Sequence, residues 1–418
     1  MADTSVDVLV VGAGPAGVNC ADELRDRDFD GSVMVVGREL DPPYHRPAVS
    51  KEYLRGGISR AEVALRPAGH WEERRIELAT RVSAMKLDTE ARTVRLSDKR
   101  EVRYEQLLLA TGANVRRLRV DGAQLDGIHY LRALGNADSL RTDAGSAGRI
   151  VLVGGSYIAC EVAASLTAMG RACTMVMVEE SPLSSGFGVQ AGEYFAARLR
   201  ERGIELVCGD PLERFEPAAA DGEERPRVGT VVTASGREVP ADLVVMGTGV
   251  VPDVMLARAA GLELGETGGV KCSARLETSA AGVWAAGDIC EYDSVVHGRR
   301  LRIEHWEVAA AQGRAVAASM LGAGRDFDEI PYFWADLADW CKLEYVGPAA
   351  RWDSEVLRGS LADDDFTIFY LDAGRMAGAL TVGRDDDLVH AARLLYQGTD
   401  LSGSVGALAD PAVGLASL

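Results

Sequence analysis

Three glycines near the start of the chain have the spacing of a phosphate-binding turn. They stand in the run Gly12-Ala13-Gly14-Pro15-Ala16-Gly17. An apolar, β-branched run at 6–11 precedes them and predicts a buried parallel strand, and 18–25 predicts a helix. The first glycine permits the bend, the second lets the backbone approach a pyrophosphate, and the third lets the helix pack on the strand. The motif predicts a dinucleotide site, with a purely structural turn as the alternative.

A degenerate copy of this motif lies further along the chain. It occupies the run Gly154-Gly155-Ser156-Tyr157-Ile158-Ala159, between a strand predicted at 150–153 and a helix predicted to about 169. The third position tolerates alanine, whereas Ser156 at the second either loosens the approach of a pyrophosphate or offers its hydroxyl as a donor. The next strand, predicted at 173–178, ends at Glu179, whose carboxylate would bind a ribose 2′-OH and repel a 2′-phosphate. This pattern favours NADH over NADPH.

Other polar residues follow predicted strands, where nucleotide ligands bind in parallel sheets. Glu39, just after the strand at 33–36, is a candidate ribose ligand, although chance placement explains an acid there equally well. The turn Ala110-Thr111-Gly112 ends a strand at 104–109 and is of a kind that closes nucleotide sites. Asp288 follows Gly287 and a buried strand, where it could bond the ribityl hydroxyls of a flavin.

Further candidates supply charge or a helix end. The run Glu304-His305-Trp306 opens a helix predicted at 307–320, whose N-terminus favours negative charge. Gly249 lies in a turn that returns the chain to the first domain. Arg46 and Lys51 would give positive charge to a pyrophosphate and to an electron-rich ring, while a basic surface pair is the simpler alternative.

The composition narrows the class of protein. A chain of 418 residues with 47% hydrophobic residues predicts two or three globular domains. The net charge of -18 disfavours nucleic acid or an anionic membrane as the main partner. No apolar run approaches the roughly 18 residues that span a bilayer. The acidic N-terminal stretch argues against a signal peptide.

Cysteine usage adds a prediction about chemistry and compartment. The 7 cysteines are scattered, without a CxxC pair or zinc-site spacing, so we expect reduced, mostly buried thiols in a cytoplasmic protein and no metal site. The stretch 44–53 contains no cysteine. A helix is predicted at 192–202 and a polar hairpin around 221–227.

Together these features resemble the FAD- and NADH-dependent ferredoxin reductases that serve bacterial cytochrome P450 and Rieske oxygenase systems, within the pyridine nucleotide-disulfide reductase fold. The resemblance covers nearly the whole chain and depends on the order and spacing of several motifs. These are 12–17, Tyr44-His45-Arg46-Pro47 with Ser50-Lys51, 110–112, 154–161, Ala286-Gly287-Asp288, Glu304 with Gln312-Gly313, and 331–334.

The resemblance implies an α/β fold with two Rossmann-like dinucleotide-binding domains, for FAD and NAD, plus a C-terminal α+β domain. The FAD-binding domain would be discontinuous, with a first part at 1–114 and a second part at 247–324. The NAD(P)H-binding domain would occupy 115–246, and the C-terminal reductase domain 325–418.

The resemblance also implies residue roles. Arg46 would hold the FAD pyrophosphate and Asp288 the ribityl chain, while Lys51 would lie near flavin N5, paired with Glu161. Trp334 would wall the flavin site. Structural alternatives remain for Glu161, as an acid that favours a helix start, and for Trp334, as a core residue between domains. Arg38, Ser156 and the His305-Trp306 pair depart from the commonest family pattern.

The cysteine-free stretch at 44–53 shapes the expected mechanism. Disulfide reductases of this fold relay electrons through a cysteine pair beside the flavin, so here the electrons would leave the flavin directly. We expect hydride transfer from NADH to FAD, then single-electron transfers to a [2Fe–2S] ferredoxin or a similar protein such as a rubredoxin. A reductase of small organic radicals or quinones, like monodehydroascorbate reductase, and a redox-controlled binding protein, like apoptosis-inducing factor, are the alternatives.

An acidic ferredoxin needs a locally basic surface on this acidic chain. Arg299, Arg300 and Arg302 form the best candidate docking patch in the sequence. A solvated loop is the alternative.

Overall fold

The structure, a computed structural model, describes residues 4–219, 226–349 and 351–418. Its strands are, in chain order, β1 (Thr4–Val11), β2 (Val33–Val36), β3 (Ile76–Ala79), β4 (Ala84–Asp88), β5 (Thr93–Leu96), β6 (Glu101–Leu109), β7 (Ala113–Val115), β8 (Ile128–Tyr130), β9 (Arg149–Val153), β10 (Ala172–Val176), β11 (Glu205–Val207), β12 (Leu212–Pro217), β13 (Val228–Thr233), β14 (Glu238–Pro240), β15 (Leu243–Met246), β16 (Val250–Pro252), β17 (Val270–Cys272), β18 (Val283–Ala285), β19 (Cys290–Ser294), β20 (Arg299–Arg302), β21 (Tyr332–Leu337), β22 (Cys341–Val346), β23 (Ser354–Ser360), β24 (Asp365–Asp372) and β25 (Arg375–Val382).

The helices lie between groups of these strands and after the last of them. They are α1 (Pro15–Asp26), α2 (Glu52–Arg55), α3 (His70–Glu73), α4 (Leu134–Ala144), α5 (Tyr157–Ala168), α6 (Ser184–Glu201), α7 (Met255–Ala259), α8 (Trp306–Met320), α9 (Asp385–Gln397) and α10 (Val405–Ala409). Short 3₁₀ turns occupy Arg46–Ser50, Gly287–Ile289 and Leu415–Ser417.

The first of two units combines Met1–His45, Ala64–Asn114 and Val251–Phe333. Its main sheet has the order β3-β2-β1-β6-β5-β4, with β18 added beside β6. Strands β3, β2, β1, β6 and β18 run parallel, whereas β5 and β4 continue antiparallel as a meander. Because the β1 run is apolar and β-branched, it is buried between its neighbours, and α1 follows it directly.

The second unit combines Arg46–Val63, Val115–Val250 and Trp334–Leu418. Its parallel sheet has the order β11-β10-β9-β15-β8, which repeats the strand–turn–helix arrangement of the first unit at β9 and α5. The segment between β11 and β15 forms a small antiparallel sheet, β12-β13-β14. The C-terminal part adds the sheet β21-β22-β25-β24-β23 and α9.

Helix α6 contains a kink that the sequence did not predict. Gly188 has φ 81° and ψ 174°, and an added Cβ there would lie 2.2 Å from Oε1 of Glu355 on β23. The Tyr370 hydroxyl donates to the Phe187 carbonyl at 2.8 Å. The kink is therefore enclosed by the C-terminal sheet of the same unit.

Several predicted elements match closely, and others do not. The strand predicted at 33–36 is β2, but α6 begins at Ser184, well before the helix expected over 192–202. Strand β10 ends two residues before the predicted 178, and β8 and β23 were not predicted. The predicted hairpin at 221–227 falls mostly on 220–225, outside the described residues.

Every cysteine of the chain lies within the described ranges. The 7 cysteines are free thiols, and all but Cys208 are buried. No helix of the described ranges is long and apolar enough to cross a membrane. The same ranges contain no group of three His, Cys, Asp or Glu residues that could hold a metal ion.

Candidate functional site

The first glycine loop, in the first unit, forms an open cradle at the start of α1. An added Cβ would lie 2.0 Å from the Ala110 carbonyl oxygen at Gly12, where φ is +125°, and 1.9 Å from the Gly12 carbonyl oxygen at Gly17. By contrast, no atom lies within 4 Å of the Cβ position at Gly14. Gly14 caps α1 without a side-chain hydrogen bond, so the first N–H groups of the helix are available to an anion. This cradle fits a pyrophosphate.

The turn after β6, at 110–112, lies next to this cradle and is held by hydrogen bonds. The Thr111 hydroxyl donates to the Asp253 carbonyl at 2.7 Å, and the Asp253 N–H donates to the Gly112 carbonyl at 2.9 Å. Arg38 donates to the Asp253 carboxylate at 2.7 Å, so it holds this turn from the end of β2. Its place in the sequence, where a ribose-binding acid is usual, therefore has a structural explanation.

The Glu39 carboxylate accepts a hydrogen bond from another residue of the first unit. Its Oε2 accepts from the Tyr44 hydroxyl at 2.6 Å. The structure brings Glu39 to the end of β2, as the sequence predicted, but it shows the carboxylate already accepting one hydrogen bond.

Helix α8 brings a third group of candidates into the first unit. The Gly287 N–H donates to Oε1 of Gln312 at 2.8 Å, while Nε2 of Gln312 is buried without a hydrogen-bond partner. An added Cβ at Gly313 would lie 2.1 Å from the Ala16 carbonyl oxygen, so α8 crosses α1 at close range. Asp288 follows Gly287 in the 3₁₀ turn and therefore stands near the start of both helices.

The three residues that open α8 are held by packing and charge. His305 is the N-cap residue, its ring packs 4.6 Å from that of Phe333, and burial lowers its pKa to about 4. Glu304 pairs with Arg302 at 2.6 Å. Trp306 meets the His45 ring edge-on at 5.1 Å. His305 is therefore neutral near pH 7, and the helix N-terminus keeps its partial positive charge.

The second glycine loop, in the second unit, resembles the first but differs at its centre. Gly154 has φ +118°, and an added Cβ would lie 2.3 Å from the Gly247 carbonyl oxygen. The Ser156 hydroxyl caps α5 by accepting from the Ala159 N–H at 3.5 Å and donates to the same Gly247 carbonyl at 3.2 Å. The sequence left two possibilities open for Ser156, a looser approach of the pyrophosphate or a hydroxyl that donates to it. The structure adds a third, because the Ser156 hydroxyl is bonded within the protein. Tyr157 and Ile158 form the first turn of α5.

Glu179 lies next to this second loop. Its Oε2 is buried and has no hydrogen-bond partner, and it lies 2.9 Å from the Cβ position of Gly155. A buried acceptor beside the loop is the feature expected of a ribose ligand, so the residues present fit a nicotinamide dinucleotide. Gly249, with φ +82°, is tied to Arg116 by a backbone hydrogen bond of 2.9 Å.

A buried charge cluster, here called the Lys51 cluster, lies within the second unit. Its members are Lys51, Glu161, Asp336, Ser50 and Trp334. The Lys51 ammonium lies 3.3 Å from Oε1 of Glu161, 2.7 Å from Oδ2 of Asp336 and 5.5 Å from the centre of the Trp334 ring. The Ser50 hydroxyl donates to Oε2 of Glu161 at 2.6 Å.

Burial controls the electrostatics of this cluster. Lys51 is 3% exposed and Glu161 5% exposed. Loss of hydration raises the pKa of Glu161, and the nearby Asp336 charge acts in the same direction, whereas Lys51 and Ser50 oppose the rise. The sequence did not single out Asp336 or the role of Ser50. Asp336 stands two residues after Trp334 on β21, hence on the same face of the strand, which was the available signal.

Comparison with known proteins identifies the family. The pyridine nucleotide-disulphide oxidoreductase model matches residues 6–313, and the reductase C-terminal model matches 332–418. Rhodocoxin reductase of Rhodococcus erythropolis is 33% identical over 93% of this chain and 89% of its own. The ferredoxin–NAD(+) reductase component of the anthranilate 1,2-dioxygenase system of Burkholderia cepacia is 35% identical over 97% of this chain and 98% of its own. The crystal structure of the ferredoxin reductase for the CYP199A2 system from Rhodopseudomonas palustris superposes with a TM-score of 0.92 at 32% identity, covering 99% of both chains.

The chain belongs to the pyridine nucleotide-disulphide oxidoreductase family, in its ferredoxin reductase group. The fold class and enzyme class predicted from the sequence are thereby confirmed. FAD and NAD(H) are the cofactors of such reductases, and the two glycine cradles fit them.

In this reductase, other predicted residues have partners within the protein. The Arg46 guanidinium donates to the Arg132 carbonyl at 2.7 Å in the second unit. Within the predicted docking patch, Arg300 pairs with Asp293 at 2.6 Å and Arg302 pairs with Glu304 at 2.6 Å, and Arg299 is the exposed one of the three arginines. Most of the positive charge expected of that patch is therefore balanced locally.

Proposed function

We propose that this reductase passes electrons from NADH through FAD to a small iron–sulfur protein, a [2Fe–2S] ferredoxin that feeds an oxygenase. The names of its relatives support this proposal, since one is the ferredoxin reductase component of a dioxygenase system and another is the ferredoxin reductase for the CYP199A2 system. The observation that carries it is the pairing of two dinucleotide cradles with a stretch, 44–53, that contains no cysteine. A thiol relay has no residue to use there, which supports direct transfer of electrons from the flavin to an external acceptor.

The proposed roles of the residues follow from their positions. Gly14 and the start of α1 would bind the FAD pyrophosphate, with Asp288 on the ribityl chain and the α8 N-terminus favouring negative charge. Bound FAD would accept a hydride and release electrons one at a time.

The second unit would bind and orient the nicotinamide nucleotide. Glu179 would accept hydrogen bonds from the ribose of NADH and repel the 2′-phosphate of NADPH. Glu161 is on the same helix that begins at the second glycine loop, so the Lys51 cluster would act at the nicotinamide end of the nucleotide. The division of the chain at 1–114, 115–246, 247–324 and 325–418 stays a prediction.

Two further proposals concern the surroundings of the reductase. Free, mostly buried thiols favour a reducing compartment, which supports the cytoplasm as its location. Docking through Arg299, Arg300 and Arg302 stays a prediction.

The experiment is anaerobic stopped-flow reduction of the purified yellow protein by NADH and by NADPH, followed by addition of a [2Fe–2S] ferredoxin and cytochrome c. We expect fast bleaching by NADH and ferredoxin-dependent reduction of cytochrome c. Fast bleaching without a ferredoxin response would instead favour an organic radical or quinone as acceptor. A long-lived charge-transfer band with slow turnover toward every acceptor would favour a redox-controlled binding protein.

A further inference from the structure

The Lys51 cluster contains more negative than positive charge. Two carboxylates, Glu161 and Asp336, face one ammonium, and the closer of the two is Asp336, at 2.7 Å against 3.3 Å. In a buried site, an ammonium balances one carboxylate, and a second ionised carboxylate is unfavourable unless it reaches water or takes up a proton.

Exposure distinguishes the two carboxylates. The Asp336 side chain is 26% exposed, whereas that of Glu161 is 6% exposed. Asp336, the nearer partner of Lys51, therefore reaches solvent, while Glu161 bears the cost of burial. The Ser50 hydroxyl is directed at Glu161, so this carboxylate has its own hydrogen-bond donor besides Lys51.

Other charged groups lie on the elements packed against α5. On the 3₁₀ turn, Arg46 donates to the Arg132 carbonyl at 2.7 Å. On the packed α2 turn, Arg55 lies 3.7 Å from Glu52, and its Nη1 donates to the Ser165 hydroxyl at 3.1 Å. Ser165 in turn donates to the Ser50 carbonyl at 2.7 Å. On the strand side, Glu179 follows β10. Among these groups, Lys51, Ser50 and Asp336 are the ones that act on the Glu161 carboxylate.

We propose that Asp336 is a positioning residue for the reaction: it holds the Lys51 ammonium and thereby sets the pH range over which NADH reduces the flavin. This inference rests on the proposed function. It assigns to the C-terminal domain a part in hydride transfer, exerted through Lys51 and Glu161 rather than by contact with the nucleotide.

The test compares four variants by anaerobic flavin reduction across pH and by pH titration of the visible spectrum of the bound flavin. In Asp336→Asn, loss of the negative charge lowers the pKa of Glu161, so the midpoint of both profiles should fall by about one pH unit. Asp336→Glu should restore the midpoint. Ser50→Ala removes a hydrogen bond to the ionised Glu161 carboxylate, so the midpoint should rise. Glu161→Gln removes the titrating carboxylate, so the transition should disappear from both profiles.

Asp339→Asn is the matched control, because it removes one exposed charge from the turn that follows β21. Its midpoint should equal that of the unaltered protein. Equal midpoints for Asp336→Asn and the unaltered protein, or shifts in the same direction for Asp336→Asn and Ser50→Ala, would overturn the inference. If NADH does not bleach the unaltered protein, the proposed function itself fails, and that outcome is visible before any variant is compared.

Discussion

The two glycine loops show how the same turn tolerates different side chains. Both begin with a glycine at positive φ whose Cβ position is filled by a carbonyl oxygen, that of Ala110 for Gly12 and that of Gly247 for Gly154. They differ at the second position, where Gly14 leaves open space and Ser156 bonds to its own helix and to Gly247. The first position is thus fixed by the fold in both loops, while the second admits a side chain that bonds within the protein.

The acids that accompany the loops differ in a corresponding way. Glu39, in the first unit, already accepts from Tyr44, whereas Oε2 of Glu179, in the second, is buried without a partner. A buried acceptor with no partner costs free energy, and a ribose hydroxyl would supply the missing bond. The more degenerate loop therefore has the clearer candidate for a ribose ligand.

Replacing the first glycine should have the largest effect. Gly12→Ala puts a Cβ 2.0 Å from a backbone oxygen at a positive φ, so we expect the first unit to lose about 4 kcal/mol or more of unfolding free energy. Gly14→Ala, where the space is open, should fold and instead bind flavin more weakly. Urea unfolding and flavin retention on purification measure both effects, and a Gly12→Ala protein as stable as the original would show that this turn can relax.

Replacing Glu179, whose Oε2 is buried, should have the next largest effect. Glu179→Gln loses a charged hydrogen bond to the ribose and the repulsion of a 2′-phosphate. We expect the KM for NADH to rise about tenfold, the equivalent of about 1.4 kcal/mol, and the preference over NADPH to narrow.

The matched control for that variant is Glu180→Gln, which removes an exposed charge one residue later. Steady-state kinetics with a ferredoxin acceptor should find its KM close to the original. Equal KM values for Glu179→Gln and Glu180→Gln would mean that Glu179 does not bind the ribose.

The smallest effect concerns the centre of the second loop. Ser156→Gly completes the three-glycine pattern but removes a helix cap, and we expect a loss of only a few tenths of a kcal/mol, against about 1 kcal/mol for Ser156→Ala. Thermal unfolding in the absence and in the presence of NADH measures the stability lost by each variant. A large fall in the NADH KM of Ser156→Gly would show that the hydroxyl obstructs the pyrophosphate.

Local patterns explain which parts of the fold could be predicted. The apolar runs of β1, β2 and β9 and the glycines that follow them are decided by neighbouring residues, so the sequence predicts both Rossmann-like repeats. Strand β23, with its exposed and charged residues, is stabilised by pairing with β24, which no local pattern shows. The early start of α6 likewise depends on contacts made by the C-terminal sheet.

The same distinction applies to the site. The cradle glycines and Glu179 were predictable because their spacing from a strand is fixed, and Lys51 and Glu161 entered through the family resemblance. Asp336 is 285 residues from Lys51, and Arg38 bonds Asp253 215 residues away, so neither pairing has a signature in the local sequence. The docking patch was predicted from adjacent arginines, and the local sequence does not show that Asp293 and Glu304 pair with two of them.

The order of segments in the first unit also constrains how it can form during synthesis. Strand β18 pairs with β6, yet the whole of 115–250 is made between them. At bacterial or eukaryotic elongation rates, β6 leaves the ribosome on the order of ten seconds before β18 is made. Until then the β6 edge that β18 will cover presents unpaired backbone groups, so nascent chains truncated before 283 should be the ones that need chaperones.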